Sequence, residues 1–286
     1  MKLLAFFVFF CIAYALNLQE INKQAYERIE YMQKIEDFPD NLKPEVIRLW
    51  ITQDKLPEGE LYINARKLSP KDMERFFEEA NLEGITGRVS FGITLKRTNM
   101  RMYPSDDTIH KGNPKIDYNQ YTLLEPFIPL AVLHSSKSGK WLYVHAPFMR
   151  GWVKREDVRF VNREELLRLK GLPFLVVVKG RKSVGGVVFG LGSRVPFLER
   201  RGNQYLVLLP DGRRVWTEAE GLHEGYLPFE EEKAKAILES LLGEPYDWGG
   251  KEGRWDCSSL VQSLFAVFGA NLPRNSYQQA KIGRQV

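Results

Sequence analysis

Tyr246-Asp247-Trp248-Gly249-Gly250, followed by Trp255-Asp256-Cys257-Ser258-Ser259-Leu260-Val261, is the stretch on which this chain turns. An aromatic, glycine-rich turn runs into a cysteine where a helix should begin. Leu260, Val261, Leu264, Phe265, Val267 and Phe268 recur at helical spacing, which predicts a strongly apolar helix. Gly269 stands where a C-terminal cap belongs, and Pro273 follows soon after. Asp256 is a natural N-cap, so Cys257 falls in the first turn. The unpaired backbone N–H groups and the positive end of the helix dipole favour a thiolate there, the nucleophilic form. The Asp256 carboxylate opposes this, because it disfavours a second negative charge beside it. A neighbouring cation such as a protonated histidine would decide between the two.

This stretch resembles the NlpC/P60 family of cell-wall cysteine peptidases. The resemblance rests on the Tyr-x-Trp-Gly-Gly turn, on Asp256-Cys257-Ser258, and then on Gly269, Leu272-Pro273-Arg274, Ser276 and Gln279, in that order. Ser259 departs from it, since the family usually has Gly at that position. The resemblance implies a papain-like domain in which Cys257 is the nucleophile and forms an acyl-enzyme with a peptidoglycan stem peptide. Backbone N–H groups at the helix start would help hold the oxyanion. Tyr246 would lie beside the nucleophile. Asp256, helped by Ser258, would bind the free amine at the L-alanine end, and the bond cut would join D-glutamate to the diamino acid. Read from the residues alone, Asp256 is also explained as an N-cap, Ser258 as a first-turn residue and Tyr246 as a packing aromatic.

The family's catalytic histidine, and the polar residue that orients it, lie on strands well downstream of the cysteine. This chain runs only to Val286, and its histidines, His110, His134, His145 and His223, all precede Cys257. The expectation is a secreted endopeptidase of the NlpC/P60 type whose catalytic domain is truncated before the histidine and is inactive alone. The alternative is a non-catalytic wall-binding protein that keeps a degenerate peptidase remnant. Without the missing sheet, Leu260, Leu264 and Phe268 are expected to lack cover.

With 286 residues, 44% hydrophobic and 27% charged, the chain has the composition of a globular protein of two to three domains. The net charge of +5 is modest, and Lys and Arg are scattered. No basic cluster interleaved with aromatics marks a nucleic-acid site. Lys2, then an apolar run from Leu3 ending Ala13-Tyr14-Ala15, describes a secretory signal peptide over 1–15. The run is too short to span a bilayer, so no stable membrane insertion is expected after cleavage. Cys11 falls within it and lacks the setting of a lipidated residue. Its removal leaves Cys257 as a lone thiol, with no disulfide partner within the chain. An unpaired cysteine is often a small core residue. Cys257, however, starts its helix between Asp256 and Ser258, whereas the apolar face begins only at Leu260. No cofactor or metal is expected. Peptidoglycan stem peptides are the expected partner, in the periplasm or cell envelope.

Residues 16–88 read as a mainly helical stabilising segment. Ile21, Ala25, Ile29 and Met32 form one face of a helix running from Leu18 to about Lys34. Pro44 opens a second helix with Val46, Ile47, Leu49 and Trp50 as its apolar contacts, and Ser69-Pro70-Lys71-Asp72 starts a third, which buries Phe76 and Phe77. From about Val89 the period changes to that of strands. Leu130 to His134, Trp141 to His145 and Gly151 to Val153 read as strands, with 135–139 as a hairpin loop. Residues 89–162 thus resemble a bacterial SH3-like barrel, in which Trp141, Tyr143 and Trp152 are either core or a wall-contacting face. Residues 163–228 read as a second such barrel, with Phe174 to Val178 a strand, a turn at Gly185-Gly186 and a hairpin around Pro210-Asp211-Gly212. Residues 229–286 hold an amphipathic helix from about Glu230 to Leu242, the cysteine helix, and a last helix with Ser276 and Gln279 spaced as a capping box. The predicted class is multidomain α+β: a helical segment, two SH3-like β-barrels and the helical half of a papain-like domain.

Overall fold

A computed structural model describes residues 17–283, so the signal peptide expected at 1–15, with Cys11, lies outside the described residues. Helix α1 (Leu18–Arg28) stops before the predicted Lys34, because Ile29 turns extended at φ −115° and ψ 112°. The predicted face survives nonetheless. Ala25, Ile29 and Met32 form one buried cluster against Phe148, and the Gln33 N–H donates to Pro147 O at 2.9 Å. Docking onto a distant hairpin thus takes over a backbone donor that another helical turn would have used. In α2 (Pro44–Thr52) Ile47 and Ile51 are buried while Leu49 faces solvent. Helix α3 (Pro70–Ala80) has the predicted start: Pro70 is in its first turn and Asp72 closes a capping box with Ser69. Phe76 is buried, whereas Phe77 is exposed.

The N-terminal segment also holds two short strands that its sequence did not announce, β1 (Tyr62–Ile63) and β2 (Arg66–Lys67). They form a hairpin whose free edge needs a partner. It comes from within the next module. There β3 (Ser90–Thr94) and β4 (Thr98–Arg101) precede β5 (Ile109–His110), which pairs with β1 in the register Tyr62↔His110. The module continues with β6 (Gln120–Leu124), β7 (Pro129–Ser135), β8 (Trp141–Ala146), β9 (Met149–Lys154) and β10 (Val158–Val161). The resulting antiparallel sheet of seven strands has the order β10-β3-β7-β8-β9-β4-β6. Tyr143 pairs with Trp152 across β8 and β9, and their rings meet edge-on at 5.3 Å. Trp141, Tyr143 and Trp152 are all buried, so these aromatics are core and present no ligand face. An edge-on pair of this kind contributes about 0.5–1.5 kcal/mol beyond its buried area.

His145, on β8, is buried against Phe38 and Trp50, and its Nδ1 lies 2.6 Å from Ala146 O. Burial, with a smaller push from the Arg150 charge, takes its pKa down to about 4. The unfolded chain therefore takes up this proton below about pH 6.5, before the folded chain does. Stability should be full above that pH and fall between about 6.5 and 4, by roughly 3 kcal/mol from this group. Denaturant unfolding of His145→Phe against the parent across that window should show a flatter pH dependence in the variant. Equal slopes would remove His145 from the acid response.

The second sheet follows α4 (Arg163–Gly171). It is built from β11 (Phe174–Val177), β14 (Arg194–Arg201), β15 (Gln204–Leu208), β16 (Arg214–Glu218) and β17 (Leu222–Glu224), in the antiparallel order β16-β15-β14-β11-β17. Between β11 and β14 lies the hairpin β12 (Arg181–Val184) and β13 (Val187–Gly190). Its turn is Gly185-Gly186, at φ +57° and +85°, a region that glycine enters without steric cost.

Three helices complete the described residues: α5 (Glu231–Glu239), α6 (Cys257–Val267) and α7 (Ser276–Gln279). The apolar face of α6 is not bare, contrary to the sequence expectation. Leu264, Val267 and Phe268 are buried in one cluster with Leu191, Ile237 and Trp255, with Leu260, Leu18, Val178 and Phe229 packed against it. Its cover therefore comes from α5, from the second module and from the chain's N-terminal end. Only Val261 on this helix is an exposed large hydrophobe. The capping box of α7 sits one residue earlier than predicted, on Asn275 and Gln278, since the Asn275 N–H donates to Gln278 Oε1 at 3.2 Å. Among the described residues no helix is long and apolar enough to cross a membrane.

Candidate active site

Asp256 caps α6 in extended geometry, at φ −91° and ψ 178°. Its Oδ1 accepts from the Ser259 N–H at 2.9 Å, and Ser259 Oγ accepts from the Asp256 N–H at 2.9 Å. Ser259 thus closes a reciprocal box, a use for its side chain that glycine lacks. Cys257 is the first residue of the helix and is exposed.

The cation needed to offset Asp256 is Arg274. Its guanidinium is buried and makes three bonds: Nη2 to Asp256 Oδ2 at 2.5 Å, Nη1 to Ser258 Oγ at 2.8 Å, and Nε to Thr122 Oγ1 at 2.8 Å. Burial pushes the Asp256 carboxyl up, but the Arg274 charge and hydrogen bond and the Ser259 contacts outweigh it, and the net direction is down. Asp256 therefore stays ionised at neutral pH. Its oxygens are fully engaged. Oδ2 also accepts from the Gly249 N–H at 3.0 Å, and Oδ1 from Ser258 Oγ at 3.3 Å. A carboxylate offers about four acceptor positions, and here four donors occupy them.

Tyr246 is well exposed, and a parallel backbone bridge ties it to Trp255. Partial burial, then the negative charges of Asp256 and of a Cys257 thiolate, push its phenol upward, so it remains a proton donor at neutral pH. Gln279 joins α7 to the site, because its Nε2 donates to Ser258 O and Pro273 O, both at 2.9 Å.

Tyr246, Asp256, Cys257 and Ser258 all line one cavity of about 430 Å³. Its other walls were not legible in the sequence. Tyr118, Gln120 and Tyr121 come from the first sheet's module, and Asp54 to Pro57 from the N-terminal segment. Tyr121 OH donates to Asp54 Oδ2 at 2.5 Å, across 67 residues of sequence. No local period or spacing signals such a pair. A larger cavity, of about 480 Å³, lies against Ser259, Gln262 and Ser263 of α6, and Cys257 is not on it. Volume therefore does not identify the reactive site here; the thiol does.

None of the four histidines lines the Cys257 cavity. His110 Nε2 lies 2.7 Å from Asn64 O, His134 Nε2 lies 3.0 Å from Ala80 O, and His145 and His223 contact Ala146 O and Gly225 O. Each is engaged with backbone elsewhere. Among the described residues no group of three or more His, Cys, Asp or Glu side chains is placed to hold a metal.

Residues 243–286, which contain Tyr246, Asp256, Cys257, Ser258 and Arg274, match the NlpC/P60 family. The region that bears Cys257 is similar to NlpC/P60 proteins. Residues 105–154 match an SH3 domain of the SH3b1 type, so the chain is an α+β multidomain protein with an SH3b domain and a region similar to NlpC/P60. It is 25% identical over 174 residues to a gamma-D-glutamyl-L-lysine dipeptidyl-peptidase of Bacillus subtilis (strain 168), covering 54% of this chain and 56% of that protein. A protein of the same name from Bacillus cereus (strain ATCC 10987 / NRS 248) is 23% identical over 147 residues, 46% of this chain and 44% of the relative. The chain thus spans about half the length of the curated relatives it matches. Among solved structures, an NlpC/P60 endopeptidase from Photobacterium damselae subsp. piscicida superposes with a TM-score of 0.70 at 17% identity, over 92% of this chain and 65% of that one. An NlpC/P60 family protein from Bacillus cereus ATCC 10987 gives 0.50 at 21% identity, over 58% and 61%. At those identities the two structures speak for the fold.

Proposed function

We propose that this chain is an exported peptidoglycan endopeptidase of the NlpC/P60 type acting on the bond between D-glutamate and the diamino acid of stem peptides. The observation that carries the reading is Cys257, an exposed thiol at the first position of α6, opening on a substrate-sized cavity. The names of the two Bacillus relatives support the choice of a γ-D-glutamyl bond. In this scheme the Cys257 thiolate attacks the carbonyl carbon, a C–S bond forms, and the C–N bond breaks as the amine leaves with a proton. Water then hydrolyses the thioester. Backbone N–H groups at the start of α6 hold the oxyanion, and Tyr246 flanks it with a protonated phenol. Asp256 and Ser258 receive the amine end of the stem. Asp256 is paired with Arg274 and has no free acceptor position, so the direct contact falls to Ser258 Oγ, which donates once and accepts once and keeps one acceptor position for an ammonium group. Residues 16–88 serve as a stabilising segment, 89–162 and 163–228 as two SH3-like barrels, and 229–286 as the part bearing the nucleophile.

The scheme needs a base, and no histidine lines the cavity. We therefore expect the 286-residue chain to carry an activated thiol yet to turn over little. Iodoacetamide should label Cys257 at pH 7 about tenfold faster than it labels a cysteine in an unstructured peptide. Cleavage of L-alanyl-γ-D-glutamyl-L-lysine should not rise above that of Cys257→Ala. Labelling no faster than the peptide would sink the nucleophile reading. The lack of a cavity histidine favours one other reading, a wall-binding protein that keeps an inert cysteine. In that case the chain sediments with purified peptidoglycan while its thiol reacts at the peptide rate.

A further inference from the structure

Strand β6 runs along the edge of the first sheet, and the turn Trp248–Gly250 packs on it. Gln120 and Thr122 of that strand, on either side of a register shift opposite Met100 and Arg101, both reach toward this turn and its neighbours. Both are buried, and each reaches one of the two groups that clasp Asp256 Oδ2. Gln120 Nε2 donates to Gly249 O at 3.0 Å, and the N–H of the same Gly249 donates to Asp256. Thr122 Oγ1 accepts from Arg274 Nε, whose Nη2 donates to Asp256. Neither contact can be reversed. Gln120 Oε1 accepts from Arg101 Nη1 at 2.9 Å, which fixes the amide with its nitrogen toward Gly249. The Thr122 hydroxyl proton is directed to Leu123 O at 3.3 Å, which leaves its oxygen toward Arg274. Space is equally restricted: a Cβ on Gly249, where φ is +63°, would lie 2.5 Å from Gln120 Cγ.

We propose that Gln120 and Thr122 are positioning residues for the Cys257 thiol, acting through Gly249, Arg274 and Asp256. This rests on the reading of Cys257 as the nucleophile. The physical argument is electrostatic. Asp256 precedes Cys257, and its charge disfavours a thiolate there unless it is offset. The offset is the Arg274 guanidinium, a planar group held in orientation by three acceptors. Removing the Thr122 acceptor leaves a buried Nε unpaired and loosens that orientation. Removing the Gln120 amide frees the Gly249 carbonyl, and with it the second donor to Asp256. Either loss returns negative potential to the thiol from a residue of a different module. The other charged groups on the cavity, Asp54 and Lys55, and its phenols, Tyr31, Tyr118, Tyr121, Tyr246 and Tyr277, are left unchanged by both substitutions. Asp247 is occupied within its own turn by the Glu252 and Arg254 N–H groups.

The test is the pH–rate profile of iodoacetamide labelling at Cys257 in the full chain, for the parent, Thr122→Val, Thr122→Ser and Gln120→Leu. Valine keeps the shape of threonine without its oxygen, and serine restores the oxygen. Thr122→Val and Gln120→Leu should each slow labelling about three- to tenfold at pH 7 and move the midpoint upward by roughly half to one pH unit. Thr122→Ser should match the parent. A purely structural role would lower stability and leave the midpoint in place. Parent-like midpoints in both Thr122→Val and Gln120→Leu overturn the proposal while leaving Cys257 an activated thiol. A parent that labels no faster than a free cysteine peptide overturns the nucleophile reading instead. If Thr122→Val does not fold, Gln120→Leu decides by the same midpoint, since Arg101 keeps its bond to Asp117 in that variant.

Discussion

Replacing Arg274 by methionine should destabilise the protein by about 3–5 kcal/mol at pH 7, because it strands a buried carboxylate whose partner is gone. Both side chains are almost wholly enclosed, at 3% exposure for Arg274 and 10% for Asp256. Solvent therefore screens the pair little, and breaking it costs what a broken buried pair costs rather than the much smaller loss of a surface pair. The pH dependence has a definite sign. In the parent the Asp256 carboxyl lies below its ordinary range, with burial as the opposing influence and Arg274 as the main cause of the net direction. Such a group contributes stability that is present above the unfolded carboxylate range and is lost as pH falls through the folded value. In Arg274→Met the main influence opposing burial is gone and only the Ser259, Ser258 and Gly249 donors remain, so the folded carboxyl moves upward. The carboxylate then contributes less stability at neutral pH than in the parent, and that deficit goes once acid protonates it. The gap between parent and variant should therefore be widest near pH 7 and narrow toward pH 4. Asp256→Asn/Arg274→Met should recover part of the loss at pH 7, since it removes the stranded charge while keeping an oxygen for the helix cap. Denaturant unfolding of the three proteins at pH 7 and pH 4.5 reads all of this. A constant gap, with no recovery in the double variant, would show that Arg274 acts by packing alone.

That pair also shows how far the sequence could be read. The Asp256 cap, the position of Cys257 and the glycine-rich turn were legible because each depends on neighbours within four residues. The need for a cation beside Asp256 followed from elementary electrostatics. Its identity did not, because Arg274 lies 18 residues away in sequence and reaches the carboxylate only through the fold. The strands of the first sheet were legible from the short β-like run Leu130 to His134 and from the alternation of aromatic and aliphatic residues along Trp141 to His145. The hairpin β1–β2 was not, since two-residue strands carry no period and theirs is completed by His110 from the next module. Helix α1 was read too long for the complementary reason. Its apolar spacing continues through Met32, but the helix ends where Ile29 turns extended, and Ile29 and Met32 pack beside Phe148 from beyond it. The cover of α6 was the largest miss. A helix face needs burial, yet nothing in its own sequence says which distant surface will provide it, and here three separate parts of the chain do.

Asp117 is where the junction between the first sheet and the cysteine-bearing part is most vulnerable. Its carboxylate is 1% exposed and holds two cations on one oxygen, Arg101 Nη1 at 2.9 Å and Lys251 Nζ at 2.7 Å. The other oxygen accepts from the Ile109 and Asn119 N–H groups, both at 3.0 Å. Arg101 belongs to β4, and Lys251 to the turn just before Asp256, so one side chain ties the sheet to the active-site loop. The two cations are not equally dependent on it. Lys251 is partly exposed, at 25%, and also bonds Thr108 Oγ1, whereas Arg101 is 3% exposed. Water can hydrate a freed Lys251 but not a freed Arg101. Lys251→Met should therefore cost about 1 kcal/mol, as a partly screened contact does. Asp117→Ala should cost about 3–5 kcal/mol, because it leaves the Arg101 guanidinium buried without its counter-charge and two backbone N–H groups unpaired. The variant should also be cut by protease within 244–256 at concentrations that leave the parent intact, since Lys251 no longer anchors that turn. Denaturant unfolding ranks the two substitutions, and peptide mapping after brief proteolysis locates the cut. Equal losses for Asp117→Ala and Lys251→Met would mean that the carbonyls of Ser105 and Asp107, which accept from Arg101 Nε and Nη2, suffice to hold that cation, and that Asp117 is only a tether for the turn.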